Sequence, residues 1–203
     1  MKLLNIEKLR YLNCGPIDLQ IKSTEMIGLS GASGSGKSLF LRALADLDEH
    51  QGEIQLDAIN LCDIEAHQWR KKVALLSAET SWWFDTVAEH FTAELSGPPL
   101  DLQLQALGFS GDISGWSIAR LSSGEKQRLG LLRLLQNQPE VLLLDEPTAN
   151  LDKYNTELFE IFVKNYLNKQ QACAIWVSHD TEQLQKLCQR NFVIKDGVLA
   201  DAG

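Results

Sequence analysis

Eight residues near the start of the chain have the types and spacing needed to hold a phosphate group. Residues 31–38 match the pattern G-x-x-x-x-G-K-[ST]. Glycines let backbone N–H groups turn inward and form a concave nest for phosphate oxygens. Lys37 supplies a positive charge for the terminal phosphates, and Ser38 offers a hydroxyl oxygen to Mg²⁺. The predicted phosphate contacts are Gly31, Ala32, Ser33, Gly34, Ser35, Gly36, Lys37 and Ser38.

The segments on either side of this phosphate loop (residues 31–38) favour binding over a plain glycine-rich turn. Residues 26–30 are apolar enough for a buried strand, and residues 37–47 are a good helix sequence. A strand, a glycine loop and a helix are the setting that the pattern requires. The N-terminus of the helix adds its dipole to the anion site.

A second chemical feature is the pair Asp145 and Glu146, which follows the apolar run Val141–Leu144. Such a run is typical of a strand covered on both faces. A parallel strand delivers its C-terminal end to the ligand edge of a sheet. There Asp145 is placed to hold Mg²⁺, and Glu146 to polarise a water aimed at a γ-phosphate. Alone, the pair would read as a solvated acidic turn, but the phosphate loop favours the metal site.

Composition narrows the class of protein. The chain has 203 residues, with 19 basic and 27 acidic side chains and a net charge of −8, which argues against nonspecific binding to nucleic acid or anionic lipid. Its four cysteines lie far apart without a C-x-x-C pair, which favours free thiols in a reducing cytoplasm. No apolar stretch is long enough to span a membrane, and charge comes too early for a secretory signal.

Strands that alternate with helices predict an α/β core. We expect strands at 3–9, 17–22, 26–30, 52–57, 73–76, 141–144 and 172–177, with a closing hairpin of 191–194 and 198–200. We expect helices at 37–47, 67–72, 123–136, 155–168 and 181–189, and a mostly helical stretch at 86–108 broken at Gly97-Pro98-Pro99.

Three further segments complete an ordered set that resembles the ATP-binding subunit of ABC transporters over essentially the full chain. Residues 121–125, Leu-Ser-Ser-Gly-Glu, are similar to the family's signature motif, although the same residues also read as a helix cap. Residues 149–152 resemble the family's D-loop, and His179 after strand 175–178 matches its switch histidine. Residues 31–38 and 141–146 match its Walker A and Walker B motifs.

The resemblance implies a P-loop NTPase core with an antiparallel β part and a helical subdomain near 80–135, within a single domain spanning 1–203. It implies two subunits packed head to tail with two ATP molecules between them, each held by one phosphate loop and the other subunit's Ser122, Ser123 and Gly124. Those residues open a helix whose positive end suits a γ-phosphate. Glu146 would orient or deprotonate water, and His179 would stabilise charge on the γ-phosphate.

Two positions depart from the family pattern or match it weakly. The glutamine that normally touches Mg²⁺ aligns with Ala78, so either the adjacent Glu79 serves as a metal ligand or the contact is missing. Tyr11, 26 residues before Lys37, is a candidate for the aromatic that stacks on adenine, or else an ordinary strand residue.

Three consecutive aromatics, Trp82-Trp83-Phe84, follow this altered loop. Strand or helix geometry turns at least one of them outward. They indicate either a docking surface for a partner helix, where aromatics act as anchors, or local packing of the helical subdomain.

The expected function is an ATPase subunit that uses ATP and Mg²⁺ to power a separate membrane permease. The subunit would form a homodimer on ATP binding, bind no nucleic acid, and lie in the cytoplasm against the inner face of the plasma membrane. The chain resembles compact bacterial subunits that pair with a single permease, including one assigned to iron export. The alternative is a soluble ABC-type ATPase with an assembly or regulatory role. DNA-repair relatives need a long coiled coil between the Walker motifs, and only 108 residues separate Lys37 from Asp145.

Overall fold

A six-stranded, mostly parallel sheet forms the centre of the molecule. The computed structural model describes residues 3–91 and 100–202. The strands of this sheet are β3 (Met26–Ser30), β6 (Val73–Leu76), β7 (Val141–Asp145), β8 (Cys173–Val177), β9 (Arg190–Lys195) and β10 (Val198–Asp201). Their spatial order is β10-β9-β3-β8-β7-β6, and only β10 runs antiparallel to its neighbour. The C-terminal ends of β3, β6, β7 and β8 therefore meet at one edge.

A four-stranded antiparallel sheet covers part of this core. Its strands are β1 (Leu3–Tyr11), β2 (Cys14–Lys22), β4 (Gln51–Leu56) and β5 (Ile59–Asn60), in the order β2-β1-β4-β5. Buried and exposed residues alternate along β2, as the sequence predicts for a half-buried strand.

The helices are α1 (Lys37–Leu44), α2 (Ala66–Lys72), α3 (Leu100–Ala106), α4 (Ser123–Leu135), α5 (Lys153–Gln170) and α6 (Thr181–Leu187), with short 3₁₀ turns at 61–63, 88–90 and 118–120. Helix α1 ends three residues earlier than predicted. Asp46 takes a left-handed conformation with φ 55°, which ends the helix. Helix α5 is longer than predicted because Asp152 caps its start: a side-chain oxygen accepts from the N–H of Asn155.

Both faces of the parallel sheet are covered by apolar side chains. Leu143 and Ile175 pack toward the antiparallel sheet and α1. Leu142, Leu144 and Trp176, which alternate with them along the strands, pack toward α4 and α5. The continuous apolar runs thus serve two cores at once, as predicted for a buried parallel sheet.

The prediction of a mostly helical stretch at 86–108 is wrong in its first part. Among the described residues 86–91, a 3₁₀ turn at 88–90 is the only helical element, because the chain there pairs with another segment. The N–H groups of Val87 and Ala88 donate to the carbonyls of Trp116 and Ser114. These bonds use backbone groups that a helix would need. The predicted break at 97–99 lies outside the described residues, and the limits of a helical subdomain at 80–135 stay a prediction.

Candidate nucleotide site

The phosphate loop leaves the end of β3 and enters α1 through glycines in conformations that other residues rarely adopt. Gly31, Gly34 and Gly36 have φ values of 145°, 76° and 101°. A Cβ on Gly31 would lie 2.6 Å from the carbonyl oxygen of Ile194, so this position also lacks room for a side chain. The loop shape therefore depends on glycine at these places, as the sequence pattern requires.

Lys37 folds back over this loop. Its Nζ donates to the carbonyl oxygens of Gly31, at 2.8 Å, and Ala32, at 3.0 Å. The side chain is only 7% exposed. The Ser35 hydroxyl oxygen is buried with no hydrogen-bond partner among the described residues. A buried cation beside an unpartnered hydroxyl suits a phosphate oxygen, which both groups could contact.

Glu146 and His179 come together because β7 and β8 are neighbours. Asp145 at the end of β7 lies opposite Val177 in β8, and the N–H of Glu146 donates to the Val177 carbonyl at 3.1 Å. The Nε2 of His179 lies 3.3 Å from Oε1 of Glu146. Glu146 has φ 47°, an uncommon value for a residue with a side chain, and such strain concentrates at functional sites.

The environment of Glu146 suits a base. Burial raises the pKa of this carboxyl, while His179 and Lys37 oppose the rise and Asp145 adds to it. Apart from the approach of His179 at 3.3 Å, Oε1 of Glu146 has no polar partner among the described residues. A raised pKa brings a carboxylate closer to the range in which it accepts a proton efficiently. Glu146 follows β7 and the phosphate loop follows β3, and both strands are neighbours of β8, so Glu146 and the loop lie at the same edge of the sheet.

Helix α4 begins at the segment predicted to contact a nucleotide across a dimer. Ser122 and Glu125 form a capping box: the Ser122 hydroxyl accepts from the Glu125 N–H at 3.2 Å, and Glu125 Oε2 accepts from the Ser122 N–H at 2.8 Å. Ser122 and Ser123 are exposed at the helix start.

Gly124 is required by the close approach of a second loop. A Cβ there would lie 2.9 Å from the carbonyl oxygen of Asn150 and 3.0 Å from Leu151. Residues 149–152 therefore pack against the first turn of α4. The segment that the resemblance assigns to the dimer interface is therefore in contact with the segment that resembles the D-loop within one subunit.

The structure does not support metal binding by Glu79. Glu79 is exposed and lines a groove of ≈ 580 Å³ with Trp83 and Arg133. Among the described residues, Glu79 makes no hydrogen bond or ion pair with Ser38 or Asp145. Ser38 and Asp145 supply the oxygen donors that Mg²⁺ prefers, and a small protein share is normal for a cation that keeps several waters. Within residues 3–91 and 100–202, no group of three or more His, Cys, Asp or Glu residues could hold a metal by itself.

Tyr11 is also not placed as predicted. Its side chain is 3% exposed and its ring packs against Phe40, with centroids 5.9 Å apart. A ring buried in this way offers almost no surface to a base. The alternative interpretation of Tyr11, as an ordinary strand residue, fits this geometry.

Sequence reasoning missed a polar network that supports the catalytic edge. Gln183 in α6 donates through Nε2 to the Thr148 hydroxyl at 3.0 Å and to Oε1 of Glu160 at 2.9 Å. Glu160 is 6% exposed. The network joins the loop after Glu146 to the helix after His179, and its members lie too far apart in sequence to form a recognisable motif.

The aromatic tip at 82–84 is held by two residues that the sequence did not single out. The Nε2 of His90 accepts from the N–H groups of Trp83, at 3.2 Å, and Phe84, at 3.1 Å. The guanidinium of Arg133 lies over the rings of Trp82 and Trp83, 4.3 and 4.5 Å from their centroids. Trp83 is 63% exposed and Phe84 48%, which confirms that the aromatics do not all enter the core.

Known proteins resemble this chain in both sequence and fold. A family model described as "ABC transporter" matches residues 14–149. The chain is 35% identical over 179 residues to protein STAR1 of Oryza sativa subsp. japonica, covering 84% of this chain and 52% of that protein. It is 30% identical over 202 residues to methionine import ATP-binding protein MetN 2 of Staphylococcus epidermidis, covering 92% and 59%. The chain thus spans between half and two thirds of these two relatives.

Among solved structures, a dimeric ATP-binding cassette in a post-hydrolysis state, bound to ADP and Pi, superposes with a TM-score of 0.81. The identity is 22%, and the match covers 98% of this chain and 99% of that one, which shows a shared fold. No helix in the described part of the chain is long and apolar enough to cross a membrane. The matched family model, the phosphate loop and the Glu146–His179 pair lead to one conclusion: this chain belongs to the ABC transporter family, with the fold of its ATP-binding cassettes.

Proposed function

We propose that this chain binds and hydrolyses ATP to power a membrane permease, through head-to-tail dimerisation driven by ATP. The observation that carries the proposal is the 3.3 Å approach of His179 to Glu146 beside Lys37 and the glycine loop. The name of the relative MetN 2 supports a transport role, since it is described as an import ATP-binding protein. The cassette dimer bound to ADP and Pi supports hydrolysis in a dimer.

In this reaction the phosphate loop binds the triphosphate, and Lys37 exchanges its carbonyl contacts for phosphate oxygens. Mg²⁺, held by Ser38 and Asp145, would neutralise charge on the phosphates. Glu146 accepts a proton from water while the water oxygen forms a bond to the γ-phosphorus. At the same time the bond between the γ-phosphorus and the β–γ bridging oxygen breaks, and ADP leaves. His179 stabilises the charge that develops on the γ-phosphoryl oxygens.

The permease would dock in the groove lined by Glu79, Trp83 and Arg133, which holds the exposed part of the aromatic tip. Rigid, exposed aromatics are good anchors for a partner helix. The groove connects to α4, since Gln127 Nε2 donates to the carbonyl of Ser77 at 3.1 Å. The subunit would then act at the cytoplasmic face of the plasma membrane, as a peripheral partner of the permease.

The test is Glu146→Gln, with wild-type protein as the reference. Loss of the base should lower ATP turnover by about 10²–10⁴-fold while ATP binding is kept. ATP should then hold a stable dimer, seen as a doubled mass by light scattering. Adding Ser122→Arg to this variant should block the dimer, because a long charged side chain would enter the shared site. Wild-type turnover in Glu146→Gln, or an unchanged dimer in the double variant, would contradict the proposal.

A further inference from the structure

Gln183 lies in the first turn of α6, in a segment that begins one residue after His179. The N–H of Gln183 donates to Oδ1 of Asp180 at 3.0 Å, so Asp180 caps the helix. The helix packs closely on β3, where a Cβ on Gly28 would lie 3.2 Å from the Cβ of Leu184. The backbone of Gln183 is therefore fixed both to the residue after His179 and to the central sheet.

The side-chain amide of Gln183 is held in one orientation by a buried carboxylate. Its Nε2 lies 2.9 Å from Oε1 of Glu160, a residue of α5 that is only 6% exposed. A carboxylate accepts hydrogen bonds and does not donate them, so the nitrogen of the amide must face it. The same nitrogen donates to the hydroxyl of Thr148 at 3.0 Å. Glu160 thus fixes the amide group that binds Thr148.

Thr148 lies in the tight loop that carries Glu146. The buried Pro147, whose ring restricts the backbone, is the one residue between them. The N–H of Ala149 donates to the carbonyl of Glu146 at 3.2 Å, which closes the loop. Glu146 itself has φ 47°, and a backbone conformation of this kind persists where the surrounding structure holds it. The hydrogen bond from Gln183 to Thr148 is a contact that can hold it.

We infer that Gln183 is a positioning residue for hydrolysis: through Thr148 it keeps the loop of Glu146 in register with the segment of His179. The inference rests on the proposed function, since it concerns the same reaction. Gln183 acts on the base and not on the nucleotide. Without the hydrogen bond the loop can relax, and the carboxylate of Glu146 moves away from the water that it must deprotonate. A displacement of about 1 Å can lower a rate by about 10²-fold.

The experiment compares steady-state ATP turnover of Gln183→Leu and Thr148→Val with that of the wild type. Both substitutions remove the bridge with little change in side-chain volume, and Thr148→Val leaves the bond between Gln183 and Glu160 in place. We expect kcat to fall by about 10–100-fold in both variants, while KM for ATP stays within about twofold because the phosphate loop is untouched. Thr148→Ser keeps the hydroxyl and should recover most of the rate.

Lys186→Ala is the matched control. The Nζ of Lys186 lies 3.5 Å from Oε2 of Glu160, so this change also removes a contact of the buried carboxylate, but it leaves the bond to Thr148 in place. Its side chain is 66% exposed. We expect its kcat to stay within about twofold of the wild type. A loss of kcat as large as that of Gln183→Leu would overturn the inference, because the effect would then come from Glu160 and not from the bridge.

A second measurement separates positioning from a general loss of stability. Gln183→Leu is added to Glu146→Gln, and the residual rate is measured in single-turnover hydrolysis. With the base already removed, its position no longer matters, so we expect the second change to lower the rate by less than about twofold. A further fall as large as the one in the wild-type background would overturn the inference, since it would show a structural effect.

The remaining outcomes distinguish this inference from the proposed function. Normal kcat in Thr148→Val, or a kcat of Thr148→Ser as low as that of Thr148→Val, would overturn the inference while leaving the ATPase proposal standing. Thr148→Val decides the matter if Gln183→Leu does not fold, which circular dichroism checks. If the wild-type protein hydrolyses no ATP, the proposed function itself fails and the inference fails with it.

Discussion

Two loops at the same edge of the parallel sheet are built in different ways. The phosphate loop follows β3 and owes its shape to backbone conformations at Gly31, Gly34 and Gly36. The tip loop, residues 77–90 after β6, owes its shape to side chains: Gln127 and His90 bond to its backbone groups, and Arg133 lies over the rings of Trp82 and Trp83. Under the proposed function, the first loop would contact a ligand whose geometry is fixed, and the second would form a surface for a partner.

The difference between the two loops shows which of them tolerates amino-acid substitution. A glycine with φ above zero and a carbonyl 2.6 Å from its missing Cβ, as at Gly31, allows no substitution without moving the loop. The tip loop has Ala78 where the family has glutamine, yet it remains fixed: α4 packs on it so closely that a Cβ on Gly130 would lie 2.7 Å from Thr80. We therefore expect changes in the phosphate loop to affect nucleotide binding and changes in the tip loop to affect coupling.

The largest effect should come from Lys37→Ala. This change removes a buried cation next to a polyanion, so ATP affinity should fall by about 10²-fold or more. The matched control is Lys72→Ala. Lys72 lies outside the phosphate loop, and its Nζ pairs with Oε1 of Glu140 at 2.6 Å. Calorimetry with Mg²⁺ and ATP gives both dissociation constants. Equal affinity in Lys37→Ala and the control would show that this loop does not hold the phosphates.

A second large effect should come from His179→Ala, which should lower turnover by about 10²-fold with smaller changes in ATP affinity. It should also move the acid limb of the pH profile. Glu146 must be ionised to accept a proton, burial raises its pKa, and His179 opposes that rise. Removing His179 removes the opposition, so the pKa of Glu146 rises further and turnover should fall at a higher pH than in the wild type. Turnover measured against pH in both proteins tests this, and an acid limb that stays in place or moves to lower pH would be inconsistent with the pairing.

The two loops also show which parts of the fold and of the candidate site could be predicted from the sequence. The strands β3, β7 and β8 and the helix α4 were predicted within about two residues, because long apolar runs and glycine or serine boundaries are local signals. Lys37, Asp145, Glu146 and His179 could be predicted to share an edge because parallel strands deliver their C-terminal ends there. His90 and Arg133 could not, since their contacts with the tip join separate segments. The burial of Tyr11 was equally hidden, since nothing local shows which face of a short hairpin turns inward.

A moderate effect is expected from His90→Ala in the tip loop. The change leaves the N–H groups of Trp83 and Phe84 without their acceptor, and His90 is only 6% exposed. Loss of the two hydrogen bonds should lower the free energy of unfolding by about 1–3 kcal/mol. Urea titration followed by circular dichroism measures this, and ATP affinity should stay within about twofold of the wild type. His90→Gln, which keeps an acceptor, should recover part of the loss. A stability unchanged by His90→Ala, or a large fall in ATP affinity, would remove the distinction between the loops.

The smallest effect should come from Glu79→Ala. Glu79 is exposed in the groove beside Trp83 and Arg133, and among the described residues it makes no hydrogen bond or ion pair with Ser38 or Asp145. Mg²⁺ readily keeps water where a protein oxygen is missing, so the metal site does not need this carboxylate. Turnover of Glu79→Ala should therefore follow the wild type at every Mg²⁺ concentration, whereas Asp145→Asn should need more Mg²⁺ to reach half of its maximal rate. A higher Mg²⁺ requirement in Glu79→Ala would mean that the tip loop moves during turnover and brings Glu79 to the metal. The two loops would then act as one site, and the separation between phosphate binding and partner docking would have to be abandoned.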